Sequence, residues 1–199
     1  GPALSFKCKL SPLAQFHLWS VYSLPVLRSG RSGLPIRPTV MKSLTVFHHK
    51  ILHGFLKLSR SSPVPAIYFL LGELPIEARL HIDLLTVLHN ILYNPETNLH
   101  QIVQYILMMS DDKSTTWSNH VRLLYRQYQL PDPLKLLQCA PISSSAWKTL
   151  IVTKITAYHE RHLWEKAASP LESTQHILTE CLATAGVRER LLPELLNLI

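Results

Sequence analysis

Apolar residues recur along this chain at steps of three and four rather than two, the spacing of one face of an α-helix. Prolines, glycines and small hydroxylated residues divide the pattern into segments. The clearest segment is 39–58, where Leu44, Phe47, Ile51, Phe55 and Leu58 share a face expected to be core. Lys42, His49, His53, Lys57 and Arg60 follow another face, which is either solvated or a row of phosphate contacts. Ahead of it, Leu13, Phe16, Leu18, Val21 and Tyr22 predict a helix over 11–24 that ends at Pro25. Residues 28–38, with glycine, serine and two prolines, predict an exposed basic connection.

Beyond 58 the chain breaks at 61–65 and a short apolar stretch follows at 66–71. Gly72 suits the left-handed end of a helix, and Pro75 the first turn of the next. That next helix, 76–93, carries Ile76, Leu80, Leu84, Val87, Leu88 and Ile91 on one face and stops at Asn94-Pro95. Glu73 and Glu77, near its start, fit the positive end of a helix rather than a catalytic role. Three more helices are predicted at 99–109, from Ser114 or Thr115 to 129, and from Ser143 or Ser144 to about 166, each serine or threonine being a natural N-cap. A last one spans 171–185 with Gly186 as its cap. The leucine-rich tail 191–199 must pack on this domain, a second copy or another part of a larger protein.

The expected fold is therefore all-α, a helical bundle with a basic N-terminal helical arm, divided as a basic segment 1–38 and a helical domain 39–199. A length of 199 residues, near-half apolar content and few glycines suit an ordered domain of this kind. No apolar run reaches the roughly 18 to 20 residues of a membrane span, and no secretory signal is evident. Gly1-Pro2 reads as the scar of a protease-cleaved tag, so the natural chain is expected to extend upstream. An intracellular protein, in nucleus and cytoplasm, is the expectation.

Charge changes the picture more than composition does. Residues 1–60 hold nine Lys and Arg and no Asp or Glu, a charge of +9, whereas the remainder sums to −2. An acid-free block of this length favours a polyanion as partner.

Candidate chemistry is sparse. The cysteines, Cys8, Cys139 and Cys181, are odd in number and far apart, which fits a reducing compartment and offers no Cys-x-x-Cys pair for zinc. Asp111-Asp112 looks like a polymerase metal pair, but it follows a helix and precedes an N-cap, so a surface loop is the reading. His159 and His162 are three apart where the zinc helix motif needs four, and a solvated face is expected there in preference to a metal shared with His176 or Cys181. Arg122 and Arg126, one turn apart with His120 and Tyr125 nearby, could hold a phosphate and stack a base, or be ordinary surface. Trp117 and Trp147 open amphipathic helices and are expected in the core.

The stretch Ser62, Pro63, Pro65, Ala66, Tyr68, Leu71, Gly72, Glu73, Leu74 and Pro75, preceded by Lys50, Ile51, Leu52, Phe55 and Leu56, resembles the segment after the reverse-transcriptase thumb in non-LTR (LINE-type) retrotransposon proteins. There a helix ending like LKRILG leads into STPxxAxYxxLGxxPL and a long helix. Residues 24–30 are similar to the family's LPxLxYG segment, although Ser29 stands where the family has an aromatic residue. Trp117, Tyr128, Leu130, Pro131, Asp132 and Pro133 resemble its W…YxLPDP block, and Trp147-Lys148 a later W-K helix, so the resemblance covers about residues 20 to 165.

The resemblance implies a region C-terminal to the polymerase core, with polymerase and endonuclease chemistry elsewhere in the larger protein and no catalytic activity or cofactor here. It implies binding of the element's RNA, in particular its 3′ end, or of the RNA–DNA hybrid and target DNA during target-primed reverse transcription. The upstream reverse-transcriptase core of the same polypeptide would be a partner. The expected contacts are Arg28, Arg31 and Arg37 in the arm, then Lys42, Lys50, His53, Lys57 and Arg60 along the helix, with Arg122 and Arg126 as a second patch. A scaffold module packed on the thumb, or a domesticated fragment with a new partner, is the competing expectation.

Overall fold

The structure, a computed structural model, describes residues 10–29, 36–58, 62–94, 96, 98–109, 117–138 and 142–167, without the side chains of 136–138 and 167. Among the described residues the chain is all-α, with no strand and no helix long and apolar enough to cross a membrane. The predicted helix 171–185, its Gly186 cap and the tail 191–199 lie outside them, as do the caps Ser114 and Thr115. The chain forms two interleaved compact units, and α3 (Pro38–Leu56) gives its first half to one and its second half to the other.

In the first unit, with described residues from 10–27 and 47–73, α1 (Pro12–Leu18) starts at Ser11, whose hydroxyl accepts the Ala14 N–H at 3.2 Å. The predicted stop at Pro25 does not occur. A π turn over Trp19–Ser23 carries the chain into α2 (Leu24–Arg28), with the Leu24 N–H reaching back to the Trp19 carbonyl. A proline ring clashes with the carbonyl four residues back, and widening the turn just before it lets the chain keep winding.

The π turn also delivers Trp19 to α3. Its ring lies 6.2 Å from Phe47, 6.4 Å from His48 and 6.4 Å from Phe55, and Phe16 meets Phe55 edge-on at 6.5 Å. α4 (Val64–Leu71) buries Ala66, Ile67, Tyr68 and Leu71. It ends as predicted at Gly72, whose φ of 59° is left-handed, with the Glu73 N–H donating to the Tyr68 carbonyl at 3.0 Å.

The predicted core face of α3 is rotated in the structure. Its buried seam is Leu44, His48, Leu52 and Leu56, four residues apart throughout, while Phe47 is 46 % exposed and Ile51, Phe55 and Leu58 are half-buried. The interior takes a histidine in place of a phenylalanine because Tyr68 and Trp19 flank His48 with their rings.

In the second unit, with described residues from 28–46 and 74–166, α5 (Ile76–Leu92) is the central element. It buries Ile82, Leu85 and Leu92 as well as the predicted Ile76, Leu80, Leu84 and Leu88, so it is enclosed on more than one face. α6 (Asn98–Met109) packs on it through Val103 and Leu107. α7 (Trp117–Gln127) adds Val121, Leu124 and Tyr125. α9 (Ser144–Ala167) begins where expected, Ser143 accepting the Ala146 N–H at 3.2 Å, and contributes Trp147, Ile151 and Ile155. The short α8 (Pro133–Gln138) was not predicted, although Asp132, whose carboxylate accepts the Leu134 N–H at 2.8 Å, and Pro133 spell an N-cap and first helical residue.

α7 ends like α4, with the Leu130 N–H on the Tyr125 carbonyl at 2.8 Å, but the left-handed position is Gln129, at φ 52°. A side chain there costs more than the extra unfolded-state freedom of glycine would. Gln129→Gly should therefore stabilise the protein by roughly 0.5 to 1 kcal/mol. A urea midpoint that moves down would show that Gln129 is held by something other than its backbone.

Candidate nucleic-acid interface

α3 starts at its N-terminus with Arg37, whose carbonyl accepts the Met41 N–H at 3.0 Å, and has no acidic residue in its first turn. Arg37 and Lys42 thus stand at the positive end of a helix, where cations oppose the dipole and anions are favoured. Folding alone gives no reason for that choice. Both are exposed, and so are Lys50 and Lys57 in the other unit. None of these four forms an ion pair among the described residues.

The remaining candidates divide differently. Arg28 is committed to the fold: its guanidinium forks onto Asp83 of α5, Nε donating to Oδ2 at 2.6 Å and Nη2 donating to Oδ1, with both side chains mostly buried. A planar fork on a carboxylate is among the stronger polar contacts, so Arg28 is reassigned from phosphate contact to structural tie. His53 is half-buried, and its Nδ1 is enclosed with no hydrogen-bond partner among the described residues, which makes it a core edge rather than an open contact. Arg31 and Arg60 lie outside the described residues.

The second patch is not two equivalent arginines. Arg122 is half-buried, and its Nη2 donates to the Leu107 carbonyl at 2.6 Å in the last turn of α6, a cation capping the negative end of a helix. Arg126 is exposed one turn on. Tyr125 is fully buried against Trp147, their rings 6.0 Å apart, and is no platform for a base. Trp147 is in the core as expected, and Trp117 is half-buried against it.

One residue expected on a solvated face belongs instead to an interior polar cluster. His159, expected on an exposed face, is only 7 % exposed, and its Nε2 lies 3.0 Å from the Tyr128 hydroxyl. The same hydroxyl lies 2.6 Å from Nδ1 of His81, which is 5 % exposed. Burial first, and then the neighbouring His120 and His159, hold His81 down to about 3. Burial first, then His162 and Lys166, hold His159 down to about 4. Burial and Glu77 push the Tyr128 phenol up. All three groups are therefore neutral near pH 7. Spacing against an aromatic partner 31 residues away is not a signal that a single sequence displays. His162 is exposed and lies 3.1 Å from Glu165. Among the described residues no three His, Cys, Asp or Glu side chains converge as a metal site.

The chain matches no family model, no curated protein and no solved structure.

Proposed function

We propose that this chain is a non-catalytic nucleic-acid-binding domain of a LINE-type retrotransposon protein, recognising the 3′ region of the element's RNA, or the RNA–DNA hybrid and target DNA, during target-primed reverse transcription. The observation that carries the binding reading is the acid-free +9 block of residues 1–60, from which Arg37, Lys42, Lys50 and Lys57 emerge exposed and without an ion pair among the described residues. Arg126 adds an exposed cation from α7. The assignment to a retrotransposon rests on the sequence resemblance. Lys and Arg would neutralise backbone phosphates, and preference for RNA would come from structured or unpaired regions rather than duplex grooves.

The test is binding to the 3′-terminal RNA of the transcript that encodes the chain, to a scrambled RNA and to duplex DNA of equal length. Five phosphate contacts predict a log–log salt slope of roughly −3.5 to −4.5, or binding weaker by a factor of about one hundred to five hundred between 50 and 200 mM salt. Changing Arg37, Lys42, Lys50 and Lys57 together to glutamate should abolish it, whereas Arg28→Lys, which touches the fold, should leave the slope unchanged. Binding that ignores salt and the fourfold change would overturn the proposal.

A scaffold reading is favoured by a different observation. α6 has no charged residue and exposes Leu99, Ile102, Tyr105, Ile106 and Met109, while Leu18, Val21, Tyr22 and Val26 are exposed along α1, the π turn and α2. Apolar rows of this kind suit docking to another protein surface, and such docking should not weaken as salt rises.

A further inference from the structure

We propose that Tyr128, held between the imidazoles of His81 and His159, is a proton-operated latch that releases the C-terminal part of α9 from α5 and α7 when both histidines are charged. The inference is independent of nucleic-acid binding. It rests on how few hydrogen-bonding arrangements one hydroxyl allows, and on how unevenly α9 is anchored.

The hydroxyl is held in place because the Tyr128 ring is 2 % exposed and meets that of Tyr158 edge-on at 5.2 Å. Tyr128 donates its N–H to the Leu124 carbonyl at 3.0 Å, and the Leu130 N–H locks the turn onto Tyr125 at 2.8 Å. With both rings neutral, the phenol donates its proton to one imidazole and accepts an N–H from the other, so every polar atom facing it is used. A first proton can bind the far nitrogen of the ring that already donates, and no hydrogen bond is lost. A second must enter the nitrogen that accepts the phenol proton. Two N–H donors then face one oxygen, the phenol proton has no acceptor, and two buried cations are separated by a single oxygen atom.

The surroundings do not relieve that charge. Facing the cluster are His81 and Glu77 from α5, His120 from α7, and Tyr158, His162 and Lys166 from α9. Glu77 is the one carboxylate among them and is itself exposed. His120 lies with its ring 6.1 Å from that of His81, so a second charge there adds to the repulsion.

α9 gives way at this point rather than along its length. Before His159 it is fixed by Trp147, Ile151 and Ile155, all fully buried. After His159, among the described side chains of α9, Leu163 is buried and residues 160, 161, 162, 164, 165 and 166 are exposed. Losing the His159 contact therefore leaves Leu163 and the half-buried Tyr158, whose ring meets that of Tyr128 edge-on at 5.2 Å, to hold residues 158–166, while the first half of the helix keeps its core.

Amide hydrogen exchange of the full chain at pH 7.4 and 5.0, expressed as protection factors, tests this. Protection over 157–166 should fall at least tenfold at the lower pH with close to second-order dependence on proton concentration, while 147–155 and α5, which open only by global unfolding, keep the higher protection factors at both pH values. His159→Gln, which keeps a polar group but cannot be charged, should remove the step. Should that variant not fold, Tyr128→Phe keeps the ring and deletes the shared hydroxyl, and 157–166 should then exchange fast at both pH values. Equal protection factors over 147–155 and 157–166 at pH 5.0, no loss at all over 157–166, or an intact pH step in Tyr128→Phe would each overturn the latch.

Discussion

Trp147→Ala is expected to cost about 4 kcal/mol, a large fraction of the roughly 5 to 15 kcal/mol that holds a domain folded. The indole is 0 % exposed in the middle of the core formed by α5, α6, α7 and α9. Its ring stacks on His89 at 5.1 Å and 10° on one side and on Tyr125 at 6.0 Å and 28° on the other, and its Nε1 donates to the Leu85 carbonyl at 3.1 Å. Truncation therefore removes apolar area, two ring contacts and a buried hydrogen bond together. His89 suffers most, because its Nε2 donates to the Ile142 carbonyl at 3.2 Å and its orientation depends on the indole face. Trp147→Phe separates the effects. It keeps most of the stacking and loses the N–H, and because the Leu85 carbonyl still lies within α5 it should cost only about 1 to 2 kcal/mol. Urea unfolding of both variants followed by circular dichroism gives the two figures. A Trp147→Ala loss no larger than that of Trp147→Phe would mean that the core closes over the gap.

The places where the sequence was legible share a physical cause. Gly72 at a left-handed position, Ser143 at an N-cap and the stop after Leu92 are local devices, set by residues within a turn of one another. What was not legible depends on partners far along the chain. Histidine counts as polar in any pattern of apolar spacing, yet His48, His81, His89 and His159 are interior. Each is placed by an aromatic ring or carbonyl elsewhere: Trp19 for His48, Tyr128 for His81 and His159, Trp147 for His89. Scoring His48 as polar turned the predicted core face of α3 toward Phe47, and scoring His159 as polar sent it to solvent. Pro25 misled for a nearer reason: a proline ends an α-helix, but a π turn can absorb its ring.

The candidate interface divides along the same line. That residues 1–60 carry no acid is read directly from composition. Which cations are spoken for is not, since Asp83 lies 55 residues from Arg28 and the Leu107 carbonyl is a backbone group that no composition counts. The two arginines reassigned to structural work are half-buried, and their guanidinium groups reach fixed acceptors. Arg37, Lys42, Lys50 and Lys57 are left with no such acceptor among the described residues, and that difference, more than the total charge, is what favours them as phosphate contacts.

Lowering the pH from 7 to 5 should cost the protein about 4 kcal/mol of global stability through His81 and His159 alone. Both are neutral in the folded state because burial holds them down, to about 3 and about 4, whereas in the unfolded chain they titrate at the ordinary histidine value of 6.5. Between those values the unfolded chain binds protons that the folded chain refuses, so stability rises with pH and is lost as pH falls below 6.5. At pH 5 each histidine sits 1.5 units below its unfolded value, which at about 1.4 kcal/mol per unit is about 2 kcal/mol per residue. His89 and His120 are also held down by burial and act with the same sign, so they steepen the fall. His81→Gln and His159→Gln keep a hydrogen-bonding group without a proton to bind, and each should halve the pH 7 to pH 5 difference measured by urea unfolding, whatever it costs at pH 7. A difference that neither substitution changes would place the acid sensitivity on other groups and the two imidazoles outside it.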